Sequence, residues 1–259
     1  MTLYVLCDNH ARRFFPAEWG FSVLIQGSRS VLLDFGCSDT FLTNARRLQV
    51  DPLAADFFVL SHGHWDHGDG MVHLPRHKLI CHPGAFIRRY NGERYVGLPL
   101  TREEAEDRFE LILSKEPYWI DDDMVYLGEI PRSNDFESQT TVFTDAEGQP
   151  DFVPDDSGVA IKTDKGLVVI SGCAHAGICN TIAHAMKVTG QEKVHAVLGG
   201  FHLKGNDSLT EKTIAYLADL DIPHIRASHC TQFPALVQFA NRFGSLHSVP
   251  MASGEVIRY

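Results

Sequence analysis

One nine-residue segment dominates any reading of this chain: Leu60-Ser61-His62-Gly63-His64-Trp65-Asp66-His67-Gly68. It sets three imidazoles and a carboxylate within six positions, directly after residues 56–60, an apolar run of strand length. If the extended backbone continues, His62, His64 and Asp66 share one side by the period of two, and His67 faces another way. The cluster then divides between two metal positions. Imidazole with carboxylate suits zinc first, with manganese or iron as alternatives. Gly63, Gly68 and Gly70 permit the tight backbone that brings such ligands together. A surface loop that happens to be rich in histidine is the competing reading, and the spacing behind an apolar run argues against it.

Around this segment the hydrophobic pattern changes character along the chain. Short apolar runs at 2–6, 21–25 and 30–35 read as strands, with 26–29 as a hairpin connection. Thr40–Leu48 has helical spacing behind Ser38 and Asp39 and stops before Pro52. Residues 101–113 open on a Thr101/Glu104 capping box and are expected to be helical throughout. Further on, short strands at 124–127, 158–163, 166–170, 194–198, 222–227 and 256–259 alternate with helices at 178–188, 209–220 and 234–243. Hairpins followed by strand–helix alternation fit an α+β fold with two sheets packed between helical layers. The whole of 1–259 reads as one domain, and the less orderly stretch 84–135 as a variable insert that walls the site.

Composition excludes several partners. A net charge of −10 disfavours a nonspecific grip on nucleic acid, yet leaves room for a small anionic substrate if metal supplies the local positive charge. No basic leader precedes an apolar run, and no stretch approaches the length of a membrane span. Six cysteines without a C-x-x-C pair suit a reduced, cytoplasmic protein. Of fourteen histidines, nine, among them His10 and His247, lie outside the densest motifs, and most read as ordinary surface or hydrogen-bonded residues. Oligomeric state leaves no mark in the sequence.

The H-x-H-x-D-H segment resembles the hallmark motif of the metallo-β-lactamase superfamily. The resemblance implies a four-layer αββα sandwich, with His62 and His64 on one metal, Asp66 and His67 on a second, and a hydroxide bridging the two. Asp66 is then both ligand and catalytic residue. Further ligands are expected at later strand ends, and two carry histidines: Gly172-Cys173-Ala174-His175, assigned to the first metal, and Ser228-His229, assigned to the second. Cys173 competes as a ligand, because its strand end carries an Asp, or a Cys, in the wider superfamily. Where the common pattern has a histidine before its antiparallel pair, this chain reads Pro154-Asp155-Asp156-Ser157, so Asp155 or Asp156 is a further alternative.

A narrower resemblance spans nearly the whole chain. Asp8-Asn9, Trp19-Gly20-Phe21-Ser22, Asp34-Phe35-Gly36, 127–132, 172–177 and Gly199-Gly200-Phe201-His202-Leu203 resemble the branch that includes the 7,8-dihydropterin-6-methyl-4-(β-D-ribofuranosyl)aminobenzene 5′-phosphate synthases. Trp19 stands where that branch has a histidine. The branch implies phosphorylated, pterin-like substrates, with hydrolysis by metal-activated water or transfer with departure of pyrophosphate. His202, beside a glycine pair that lets a ligand approach, is the candidate acid or hydrogen-bond donor. Arg132 and Lys204 are weaker candidates for anion contact. A di-iron oxidoreductase and a non-catalytic metal-binding sensor are the alternative functions. The first lacks the expected carboxylates and flavin domain, and the second sits poorly with an intact ligand quartet.

Overall fold

The computed structural model describes residues 1–245 and 248–259, so His247 lies outside the described residues. Its strands are β1 (Thr2–Cys7), β2 (Ser22–Gln26), β3 (Ser30–Leu33), β4 (Phe57–Val59), β5 (Lys78–Cys81), β6 (Arg89–Asn91), β7 (Arg94–Tyr95), β8 (Glu110–Leu113), β9 (Tyr118–Trp119), β10 (Met124–Tyr126), β11 (Phe143–Asp145), β12 (Gly158–Thr163), β13 (Gly166–Ser171), β14 (Val194–Gly200), β15 (His224–Ser228) and β16 (Val256–Arg258). The helices are α1 (Thr40–Leu48), α2 (Trp65–Gly68), α3 (Arg102–Arg108), α4 (Ile178–Thr189), α5 (Ser208–Asp219) and α6 (Phe233–Phe243). One sheet runs β16-β1-β2-β3-β4-β5-β8, a second β15-β14-β13-β12-β10-β9, and a small third β11-β6-β7.

Side-chain alternation explains how the two large sheets come to lie face to face. On β2, Val23 and Ile25 enter one apolar cluster while Leu24 enters another; on β13, Val168 and Ile170 face that same central cluster while Leu167 and Val169 turn away. The central cluster therefore joins β1–β5 to β10 and β12–β14. On the outer face of the first sheet, Leu24, Leu32 and Phe58 pack with Phe41 and Ala45 of α1 and Ala105 of α3. On the outer face of the second, Val169 and Val197 pack with Ile182 of α4, Leu217 of α5 and Phe239 of α6. The layers are helix, sheet, sheet, helix, as the α+β expectation required.

Two local expectations need correction. The capping box at Thr101 and Glu104 forms, but the helix ends at Arg108 and residues 110–113 become β8, whose backbone pairs with β5 in parallel. The apolar residues Ile112 and Leu113 were read at helical spacing, whereas they serve a strand flanking the first sheet. Extended backbone also does not persist through the histidine segment: β4 ends at Val59, residues 61–63 bend, His64 is extended (φ −101°, ψ 150°), and Trp65 begins the single turn of α2. Among the described residues, no helix is long and apolar enough to cross a membrane.

Candidate metal centre

Strand ends from both large sheets deliver the polar cluster, β4 from the first and the adjacent parallel strands β13, β14 and β15 from the second. β4 leads into Ser61 and His62, β13 into Cys173 and His175, β14 into His202, and β15 into His229. The close approach at the first of these explains one glycine: a Cβ on Gly63 would sit 1.8 Å from the carbonyl oxygen of Ala85. Gly199, at φ +115°, lies just as tightly on the Ser171 carbonyl, where only a glycine fits between β13 and β14.

The six histidine and aspartate side chains singled out from the sequence converge. His62 Nε2 lies 3.0 Å from His64 Nδ1, and the His175 ring is 4.8 Å from both of those rings. His67 Nε2 lies 3.0 Å from His229 Nε2, which is 3.4 Å from Asp66 Oδ2. Cys173 stands at the centre of both groups: its Sγ is 3.2 Å from His67 Nε2, and donor atoms of His62, Cys173 and His175, and of His67, Cys173 and His229, fall within 4.8 Å of one another. His62 and His64 meet through the bend at 61–63 rather than along a continued strand, and Asp66 and His67 reach the cluster from the turn of α2.

Hydrogen bonding fixes which nitrogens face inward. His67 donates from Nδ1 to Asp34 Oδ2 at 2.7 Å, so Nε2 is its inward nitrogen; burial would lower the pKa of this ring, but Asp34 and Asp66 outweigh burial and raise it. His229 donates from Nδ1 to Asn9 Oδ1 at 3.0 Å, and Asn9 Nδ2 donates to the His229 carbonyl at 3.0 Å, which fixes the amide orientation. The inward nitrogens of these two rings thus face each other across 3.0 Å in a buried setting. Ser61 Oγ donates to Asp34 Oδ2 at 2.7 Å and so accepts from His62 Nδ1 at 2.9 Å, which turns the Nε2 lone pair of His62 inward as well. His64 Nε2 and His175 Nε2 are buried without a protein partner. Burial, reinforced by the neighbouring rings, pushes the pKa of His62, His64 and His175 well down, so these imidazoles are neutral donors. Burial alone would raise Asp66, but the His67 and His229 rings outweigh it and hold the carboxyl at about 2. Such an arrangement is poorly satisfied by protein alone, and the residues fit divalent cations.

The remaining candidates separate. The Asp155 carboxylate accepts from the Gly63 N–H at 2.7 Å and from Arg89 Nη1 and Nη2 at 3.0 and 2.6 Å, so it braces the histidine loop. Asp156 Oδ2 accepts from the Ala176 N–H at 2.8 Å, and burial raises its pKa to about 7. Arg132 spends Nε on Ser138 Oγ and Nη2 on the carbonyls of Phe152 and Val153, so those donors hold a loop rather than an anion. His202, at φ +51°, lies with its ring 4.4 Å from that of His175; burial, then the charge of Lys204, lowers its pKa to about 4. Lys204 is exposed and lines the same cavity as His202. Sequence reasoning missed Asp34 as the hub behind His62 and His67, and Trp19 as the donor of its Nε1–H to Asp66 Oδ2 at 2.9 Å. Both lay inside segments whose residue types were noted but whose partners are remote in sequence.

No protein-family model matches the chain. Over 245 residues, covering 91% of this chain and 93% of its own length, an uncharacterised protein of Methanocaldococcus jannaschii is 34% identical. The 7,8-dihydropterin-6-methyl-4-(β-D-ribofuranosyl)-aminobenzene-5′-phosphate synthase of the same organism is 30% identical over 99% of this chain and 96% of its own. Among solved structures, Tm1679, described as a metal-dependent hydrolase of the β-lactamase superfamily, superposes with a TM-score of 0.89 at 31% identity over 100% of this chain and 99% of that one. A diphosphatase of the PhnP family shares the fold at a TM-score of 0.57 and 13% identity, covering 100% and 97% of the two chains. The chain belongs to the metallo-β-lactamase superfamily, in the branch that includes the dihydropterin-ribofuranosyl-aminobenzene phosphate synthase.

Proposed function

We propose that this protein is a metal-dependent hydrolase, or a related transferase, acting on a phosphorylated small molecule at a two-ion centre. His62, His64 and His175 would hold one ion, and Asp66, His67 and His229 the other. Cys173 lies within reach of both sets and would serve as a shared ligand. The observation that carries this reading is the pair of inward imidazole nitrogens of His67 and His229, 3.0 Å apart, with a carboxylate and a thiol beside them. Nitrogen, oxygen and sulfur donors together favour zinc, with manganese or iron as alternatives.

Divalent ions held there would polarise a phosphoryl oxygen and lower the pKa of bound water. The chain's own residues do the positioning. Asp34 fixes the ring of His67 directly and that of His62 through Ser61, Asn9 fixes His229, and Trp19 orients Oδ2 of Asp66, the oxygen that faces His229. His202, kept neutral by burial, offers one N–H to a phosphate oxygen, and Lys204 supplies a cation at the cavity. A 5′-phosphate in the name of one relative, and a metal-dependent hydrolase in the description of another, support the substrate class. Metal-loaded protein is expected to hydrolyse bis(p-nitrophenyl) phosphate, to lose that activity on chelation, and to regain it when zinc or manganese is restored. Full activity after exhaustive chelation would overturn the reading.

A further inference from the structure

A cavity of about 340 Å³ opens beside the histidine cluster, a size that suits a small organic ligand. Four phenylalanines line it, Phe136, Phe143, Phe152 and Phe201, together with His202 and Lys204. Of these four, Phe143 packs on the histidine cluster: its ring centre is 4.6 Å from that of His64 and 5.5 Å from that of His175. It is half-buried and stands on β11, outside both large sheets. That position is held firmly. β11 pairs with β6, placing Phe143 opposite Asn91 and Asp145 opposite Arg89. The buried Arg89 guanidinium bonds to Asp151 at 2.8 Å and to Asp155, and Asp155 in turn accepts the Gly63 N–H of the histidine loop. The small sheet and the metal-ligand loop are therefore tied through one buried ion-pair network.

Resting on the phosphoryl chemistry proposed above, we infer that Phe143 is a specificity-determining residue. It presents an apolar face that selects phosphoryl compounds bearing a flat, apolar organic group over those bearing a small one. Ions held by the histidine cluster, with Lys204, would take the charged end of the ligand, and neither would discriminate among organic groups. The aromatic wall does, because ring-on-ring contact adds to the area removed from water.

Non-hydrolysable phosphonates test this without requiring turnover. Calorimetric titration of metal-loaded wild-type protein is expected to show phenylphosphonate bound about ten-fold tighter than methylphosphonate, with the ratio falling to within about two-fold in Phe143→Ala and staying intermediate in Phe143→Leu. Metal content is measured on each variant. An unchanged ratio in Phe143→Ala would overturn the inference, as would loss of metal from that variant with both ligands weakened alike, or failure of phenylphosphonate to bind the wild type. Selective phosphonate binding without hydrolysis of bis(p-nitrophenyl) phosphate would instead count against the proposed reaction and leave the role of Phe143 standing.

Discussion

Asp34 touches no substrate cavity, yet both its oxygens are committed to the cluster: Oδ1 to the Ser61 N–H at 2.7 Å, and Oδ2 to Ser61 Oγ and His67 Nδ1. It holds φ +55°, an uncommon backbone for a non-glycine residue, which places the carboxylate under the histidine loop. Asp34→Ala is expected to weaken metal binding by about 10–100-fold, read by competition against a chelating dye. Retention of wild-type affinity would remove Asp34 from the account. At this scale the sequence was most informative about donors adjacent in the chain. His62, His64, Asp66 and His67 announce themselves by spacing. Their supports, Asp34, Asn9 and Trp19, do not, because hydrogen bonds such as His229 to Asn9 span most of the chain and leave no periodic trace. Cys173 was weighed against His175 as if the two were rivals. Three dimensions show that one strand end can place both beside the same group.

At the scale of elements, the strand ends were legible because buried runs are apolar up to their ends, Leu167–Ile170 before Ser171 in β13 and Ala196–Leu198 before Gly199 in β14. The short pieces were not. β6, β7, β9 and β11 span two or three residues each, too few for any period to emerge. The third sheet, which carries Phe143, was therefore hidden, and so was the buried ion pair that anchors it. Arg89 and Asp155 are both fully buried, and Asp151 nearly so. Arg89→Met would leave two carboxylates without their counter-charge and is expected to cost about 3–5 kcal/mol in urea unfolding. The double variant Arg89→Met/Asp155→Asn should recover part of that loss. A single variant as stable as wild type would show that the clamp contributes little.

Across the whole molecule, the arrangement of layers follows from which residues alternate and which do not, and this much could be argued from sequence. What pattern could not supply was the order of strands within each sheet, in which β8 joins β5 and β16 closes on β1 across the length of the chain. The cluster draws its side chains from β4, α2, β13 and β15, so ions bound there would cross-link both sheets. Binding of that kind stabilises the folded state by linkage: stripping the ions with a chelator is expected to lower Tm by roughly 5–10 °C, reversibly on adding metal back, and an unmoved Tm would argue against a cross-linking role. The most direct measurement is elemental analysis by inductively coupled plasma mass spectrometry of purified wild-type protein beside the His62→Ala/His64→Ala and His67→Ala/His229→Ala pairs. About two transition-metal ions per chain are expected in the wild type and about one in each pair of substitutions. No stoichiometric metal in the wild type, or an undiminished complement in both variants, would contradict the account.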